Sequence, residues 1–110
     1  MRFPVNVPAV TVWEKIIIDR APAYVRHELG ASYWQAVSGQ EAGNSARAPK
    51  DSVFLAVPPS SVTYLPKKDD KVLSGSVPDE NPPVTALTVM QVKDFRFLLP
   101  AVMHVEVKAE

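Results

Sequence analysis

The chain has two histidines, His27 and His104, and no cysteine. Disulfides and thiolate metal centres are therefore excluded. His104 and Glu106 stand two residues apart, a spacing that puts both on the same side of a strand. Such a pair offers two ligands to a metal, but no third is spaced near it, so the pair is expected to be a solvated sheet rim. His27 falls on the apolar side of its segment, where a hydrogen-bonded core or interface histidine is expected. Asp69-Asp70 could serve as a carboxylate dyad for acid–base work. It lies in a turn with Lys67, Lys68 and Lys71, and is expected to be solvated and self-neutralised. Ser60-Ser61 lacks the glycine elbow of a nucleophilic serine, and there is no glycine-rich phosphate loop. No enzyme, cofactor or metal site is expected.

Aromatic residues with basic neighbours suggest a different chemistry. Trp13, Tyr24, Tyr33, Trp34 and Tyr64 could stack on bases, with Arg20, Arg26 and Arg47 supplying charge. Small β-barrels that bind oligonucleotides use such platforms in a basic groove. Against this, twelve basic and twelve acidic residues balance, and no basic stripe follows any strand. Core packing of these aromatics is the stronger expectation.

The elements that must carry these residues are short and extended. Eleven prolines against four glycines point to brief segments joined by stiff corners. Residues 1–8 form an extended arm in which Phe3, Val5 and Val7 alternate and Pro4 and Pro8 suit an edge. In the first strand, Ala9 to Asp19, Val10, Val12, Glu14, Ile16 and Ile18 share one face, and Thr11, Trp13, Lys15 and Ile17 the other. Asp19 to Pro22 is a turn. Tyr24 to Trp34 forms a second strand with a bulge or bend at Gly30.

A long loop follows over residues 36–52, small, polar and without a buried-face pattern; loops of this length in compact domains are usually functional or disordered. A third strand, Val53 to Val57, is stopped by Pro58-Pro59. Ser60 to Leu65 is a short strand or corner, and 66–71 a charged turn. Val72 to Val77 is a strand interrupted by Gly75, and Pro78 to Pro83 a stiff exposed loop. Val84 to Lys93, apolar on both faces, is a central strand. Asp94 to Pro100 is a connection with aromatic potential, and Val102 to Lys108 the closing strand. Six or seven strands at this spacing predict an all-β domain, a small barrel or sandwich.

At 110 residues with 46% apolar composition, a single domain with a real core is expected. No apolar run approaches the length of a membrane span, and Pro4 and Pro8 interrupt the region where a secretory signal would sit.

The order of segments resembles the head-closure, or stopper, proteins of tailed phages, including relatives labelled minor capsid proteins in phages of Gram-positive hosts. Val10-Thr11-Val12-Trp13-Glu14-Lys15 is similar to their opening strand. Arg26 to Trp34, with Gly30, Tyr33 and Trp34, is similar to the strand before their long loop. Asp70-Lys71-Val72-Leu73-Ser74-Gly75 is similar to their aspartate–valine–glycine turn and strand. Ala86 to Arg96 and His104-Val105-Glu106-Val107 are similar to their closing pair. The sequence departs from the pattern at Asp69, where the family has glycine, at Phe95, where asparagine is frequent, and at Val105, where tryptophan stands.

The resemblance implies a small β-barrel assembled as a homo-oligomeric ring, twelve-fold in the particle. The portal or adaptor would lie above it and the tail terminator or tail tube below. It implies a virion protein at the head–tail junction that retains packaged DNA and docks the tail. The long loop would face the channel and duplex DNA, with Gln40, Arg47 and Lys50 as its candidates. Phe3, Val5, Trp13, Phe95 and Phe97 are candidate protein-interface residues. Alternatives are a free-standing barrel binding oligonucleotide or peptide, or another neck ring protein such as a tail terminator or adaptor.

Overall fold

The computed structural model describes residues 4–37, 52–96 and 103–110. The described residues contain seven strands: β1 (Val10–Ile18), β2 (Ala21–Leu29), β3 (Tyr33–Val37), β4 (Ser52–Val57), β5 (Lys71–Ser74), β6 (Leu87–Asp94) and β7 (Val105–Ala109). Their only helical piece is a 3₁₀ turn at Pro59–Ser61, where Pro59 cannot continue β4. All strand pairs are antiparallel. They form one sheet in the order β2-β1-β5-β6-β7-β4-β3. The all-β expectation holds. The edge strands β2 and β3 are not paired with each other, so the expected barrel is not closed by hydrogen bonds among the described residues.

Alternation fixes what each strand buries. Val10 and Val12 of β1, Leu29 of β2 and Val72 of β5 join Val53, Leu55 and Val57 of β4, Val89 of β6, and Val105, Val107 and Ala109 of β7 in one cluster. Each fully buried valine or leucine contributes about 1.5–3 kcal/mol relative to exposure. The two halves of the sheet meet at β6, where the register with β7 shifts between Val89 and Gln91. Such a bulge bends its strand and raises the local twist.

Several boundaries differ from expectation. Tyr24 to Trp34 is not one bulged strand. The chain breaks at Gly30, β2 ends at Leu29, and β3 begins at Tyr33 on the far edge of the sheet. The reason is the 3₁₀ turn: the Gly30 amide donates to the Ser61 carbonyl at 3.0 Å, and a Cβ at Gly30 would lie 2.9 Å from Ser61 Oγ. Only glycine tolerates that approach. Residues 60–65 are accordingly a corner. β5 stops at Ser74 because Gly75 takes a left-handed φ of 88°. The β1–β2 connection is a two-residue turn in which Asp19 and Arg20 both have positive φ, the geometry that matches the twist of a hairpin.

The loop expected over Pro78 to Pro83 is exposed from Pro78 to Asn81, but the segment that leads into it, 75–79, is held to the sheet. That segment lies over the outer face of β1: Thr11 Oγ1 donates to the Gly75 carbonyl and accepts from the Val77 amide. The Trp13 indole donates to the Asp79 carbonyl at 2.8 Å, and Arg26 Nε to the Val77 carbonyl at 2.6 Å. Trp13, a candidate interface residue, is 0% exposed. Its indole is consumed inside the chain because the 75–79 segment crosses it.

Candidate functional site

The inner face of the β1–β2 hairpin changes character along its length. Val10 pairs with Leu29 in the core, then Val12 with His27, Glu14 with Val25, Ile16 with Ala23 and Ile18 with Ala21. Glu14 and His27 are the polar residues on this otherwise apolar face, and they organise a network that seals the end of the core. His27 Nε2 and Glu14 Oε1 are 2.9 Å apart. The His27 ring stacks on Tyr64 with centroids 4.0 Å apart and planes 4° from parallel. Tyr64 donates its hydroxyl to Asp70 Oδ2 at 2.6 Å.

Asp70 is the hub. Its carboxylate is fully buried and also accepts from the backbone amides of Lys15 and Lys67, each at 3.0 Å, and from Lys67 Nζ at 3.1 Å. This corrects the expectation of a solvated Asp69-Asp70 turn. Asp69 is exposed with φ of 79°, and that left-handed step turns Asp70 inward, where Tyr64 and the backbone replace water. Lys67 Nζ reaches Glu14 Oε2 at 3.5 Å and the Tyr64 hydroxyl at 3.2 Å, so one ammonium serves two carboxylates. Lys67 and Glu14 keep access to solvent, which limits the strength of that pair.

The protonation preferences follow from these contacts. The hydrogen bond from His27 holds the Glu14 carboxyl below its ordinary value, against the opposing effect of desolvation, and Lys67 adds to the lowering. Burial pushes the Tyr64 phenol well above its ordinary value, and the bond to Asp70 pushes the same way. The neutral phenol is thereby fixed as a hydrogen-bond donor to Asp70. The cluster fastens the 58–70 connection to β1 and β2.

Beyond the cluster the end of the hairpin has no cover among the described residues. Ile17 is 64% exposed, Ile18 55% and Val25 41%. By strand alternation Ile17 and Tyr24 lie on the outer face, and Ile18 and Val25 on the inner. The tip is therefore apolar on both sides.

The other expected site residues are dispersed. Val5 is exposed on the arm, and Val7 and Ser32 form a bridge beside it. Phe95 is half-buried against His104, with centroids 5.2 Å apart, and its amide donates to the His104 carbonyl. His104 Nε2 and Glu106 Oε2 lie 2.9 Å apart, and no group of three metal-ligating side chains gathers among the described residues. Phe3, Phe97, Gln40, Arg47 and Lys50 lie outside the described residues, as does most of the 36–52 loop. A cleft of about 540 Å³ between β4, β6 and β7 is lined by Phe54 and Met90 together with Lys108 and Glu110.

Sequence reasoning found His27 but missed its partners Glu14 and Tyr64 and the Lys67 and Asp70 groups bonded to them. The available signal was Glu14 between Val12 and Ile16, a charge on an apolar stripe that requires a partner. No protein-family model, curated protein or solved structure matches this chain.

Proposed function

We propose that the chain is a non-catalytic assembly protein of a tailed-phage neck, a head-closure component that docks onto neighbouring protein copies and retains packaged DNA. The observation that carries the reading is the β1–β2 hairpin, which extends past the polar seal of the core and presents Ile17, Ile18 and Val25 to solvent. A projecting apolar hairpin marks a protein-interaction site. The order of the four sequence stretches similar to head-closure proteins supplies the class of assembly. The insertion between the paired strands β3 and β4 agrees with that order.

The described aromatics favour this over a nucleotide-stacking groove. Trp13 is buried and Tyr64 is stacked on His27, so two members of the conceivable platform are already occupied. The test is electron microscopy of particles assembled without this chain. Heads emptied of DNA beside separate, complete tails are expected; normally joined particles would overturn the proposal.

A further inference from the structure

The two edges of the sheet are protected unequally. On β3, the Asn6 side chain imitates a strand residue: its Oδ1 accepts from the Trp34 amide at 2.7 Å and its Nδ2 donates to the Trp34 carbonyl at 2.9 Å. The adjoining Val7–Ser32 bridge covers the next outward position. Among the described residues, only one end of β2 is covered. Thr63 Oγ1 donates to the Glu28 carbonyl, and the Gly30 amide donates to the Ser61 carbonyl.

Those two contacts also reveal which backbone groups point outward. β2 pairs with β1 without a register shift from Ala21 to Leu29, so the even-numbered residues direct their amides and carbonyls away from β1. Tyr24 and Arg26 therefore carry outward N–H and C=O groups with no partner among the described residues. Pro22 adds an outward carbonyl but no N–H. The open stretch runs from Pro22 to Arg26, and its midpoint is Tyr24.

We infer that this edge binds the same edge of a second copy, antiparallel and centred on Tyr24. The register is self-complementary. Tyr24 exchanges amide and carbonyl bonds with Tyr24 of the other copy, and each Arg26 amide meets the other Pro22 carbonyl. Val25, exposed on the inner face, faces Ala23, and Arg20, in the turn just before β2, comes level with Glu28, whose carboxylate also holds Arg26 and Ser76, twice each by symmetry. Neighbouring registers are worse. Centring on Ala23 sets Arg20 against Arg26, and centring on Val25 runs the second copy's Pro22 into Glu28, where the Thr63 side chain already lies against the edge. Centring on Arg26 sets that residue against itself. A closed two-fold pair of this kind cannot itself propagate a ring, so the oligomeric state in solution decides it separately from the neck reading.

Sedimentation equilibrium of the full chain across micromolar concentrations is expected to show monomer and dimer. Tyr24→Pro removes the central outward N–H without touching the β1 ladder, and raises the dissociation constant about tenfold or more while circular dichroism stays unchanged. The charge-reversed chains Arg20→Glu and Glu28→Arg each dimerise poorly alone, and their mixture forms a heterodimer. That mixture decides the matter if Tyr24→Pro does not fold. A monomer at every concentration, a larger oligomer, or a dimer indifferent to all three substitutions would overturn the inference.

Discussion

The ring of Tyr64 lies flat on the imidazole of His27, with centroids 4.0 Å apart and planes 4° from parallel. This stack joins a residue of β2 to one from the 58–70 connection. It places the Tyr64 hydroxyl on the buried Asp70 carboxylate, and the end of the core depends on that contact.

Asp70→Ala removes the acceptor for the Tyr64 hydroxyl, two backbone amides and the Lys67 ammonium. Lys67 is half exposed and returns to water, but the Tyr64 hydroxyl and the two amides lose their acceptor, at about 1–3 kcal/mol for each group left buried and unsatisfied. Denaturant unfolding is expected to show a loss of that size, with the m-value unchanged. A loss below about 1 kcal/mol would mean that water replaces the carboxylate freely.

Glu14, Glu28 and Asp94 all have carboxyls lowered in the folded chain, by His27, by Ser76 with Arg26, and by Arg96 respectively. A lowered folded pKa stabilises above the unfolded value and is lost as pH falls through the folded one. The melting temperature is therefore expected to fall on acidification below the ordinary carboxylate value of 4.5. Glu14→Gln should make that fall shallower. At the other end, the raised phenol of Tyr64 stabilises below its ordinary value of 10.0 and weakens the fold as pH rises past it. Tyr64→Phe should flatten the alkaline limb, which pH-dependent thermal melts will detect.

Gly30→Ala drives a Cβ to 2.9 Å from Ser61 Oγ and 3.3 Å from the Ser61 Cα. Overpacking of this kind costs about 1–3 kcal/mol. Adding Ser61→Gly clears the space and is expected to restore part of the loss. Equal stability of Gly30→Ala and the parent would show that the corner yields without strain.

Asn6→Ala strips both side-chain bonds from the Trp34 backbone, each worth about 0.5–1.5 kcal/mol, less at this exposed position. Its larger effect is on the β3 edge, which becomes a template for other strands. Faster aggregation at elevated temperature, followed by light scattering, is the expected outcome, with little change in the melting temperature.

Sequence pattern carried the strands whose alternation is regular. β1, with Val10 and Val12 inward and Thr11 and Trp13 outward, follows directly from period-two spacing, and β6 is central as expected, although it starts at Leu87 and leaves Val84 and Met90 exposed. The split of 24–34 was not visible, because it is imposed by Ser61, thirty-one residues from Gly30, through a close approach that no local pattern encodes. The same holds for Asp70. Flanked by Asp69 and Lys71 it looks solvated, and only the left-handed step at Asp69 and the distant Tyr64, Lys15 and Lys67 groups make it a buried hub. Trp13 was legible as an apolar residue on a second face. The segment that covers it is held by backbone carbonyls of Val77 and Asp79, and these carry no side-chain signature.

The position of β7 sets a timetable for the nascent chain. It is the last of the seven strands in sequence, yet it sits between β6 and β4, and the β3–β4 pair joins the rest of the sheet only through it. During synthesis, β3 and β4 wait as an isolated hairpin, with Val53, Leu55 and Val57 lacking their β7 neighbours until Val105 to Ala109 emerge from the ribosome. An isolated two-stranded hairpin is marginal in water, and its unpaired β4 side is open to any extended chain nearby. Any delay in adding β7 therefore prolongs the exposure of the β4 edge, which makes the late pairing of Val105 to Ala109 a determinant of yield.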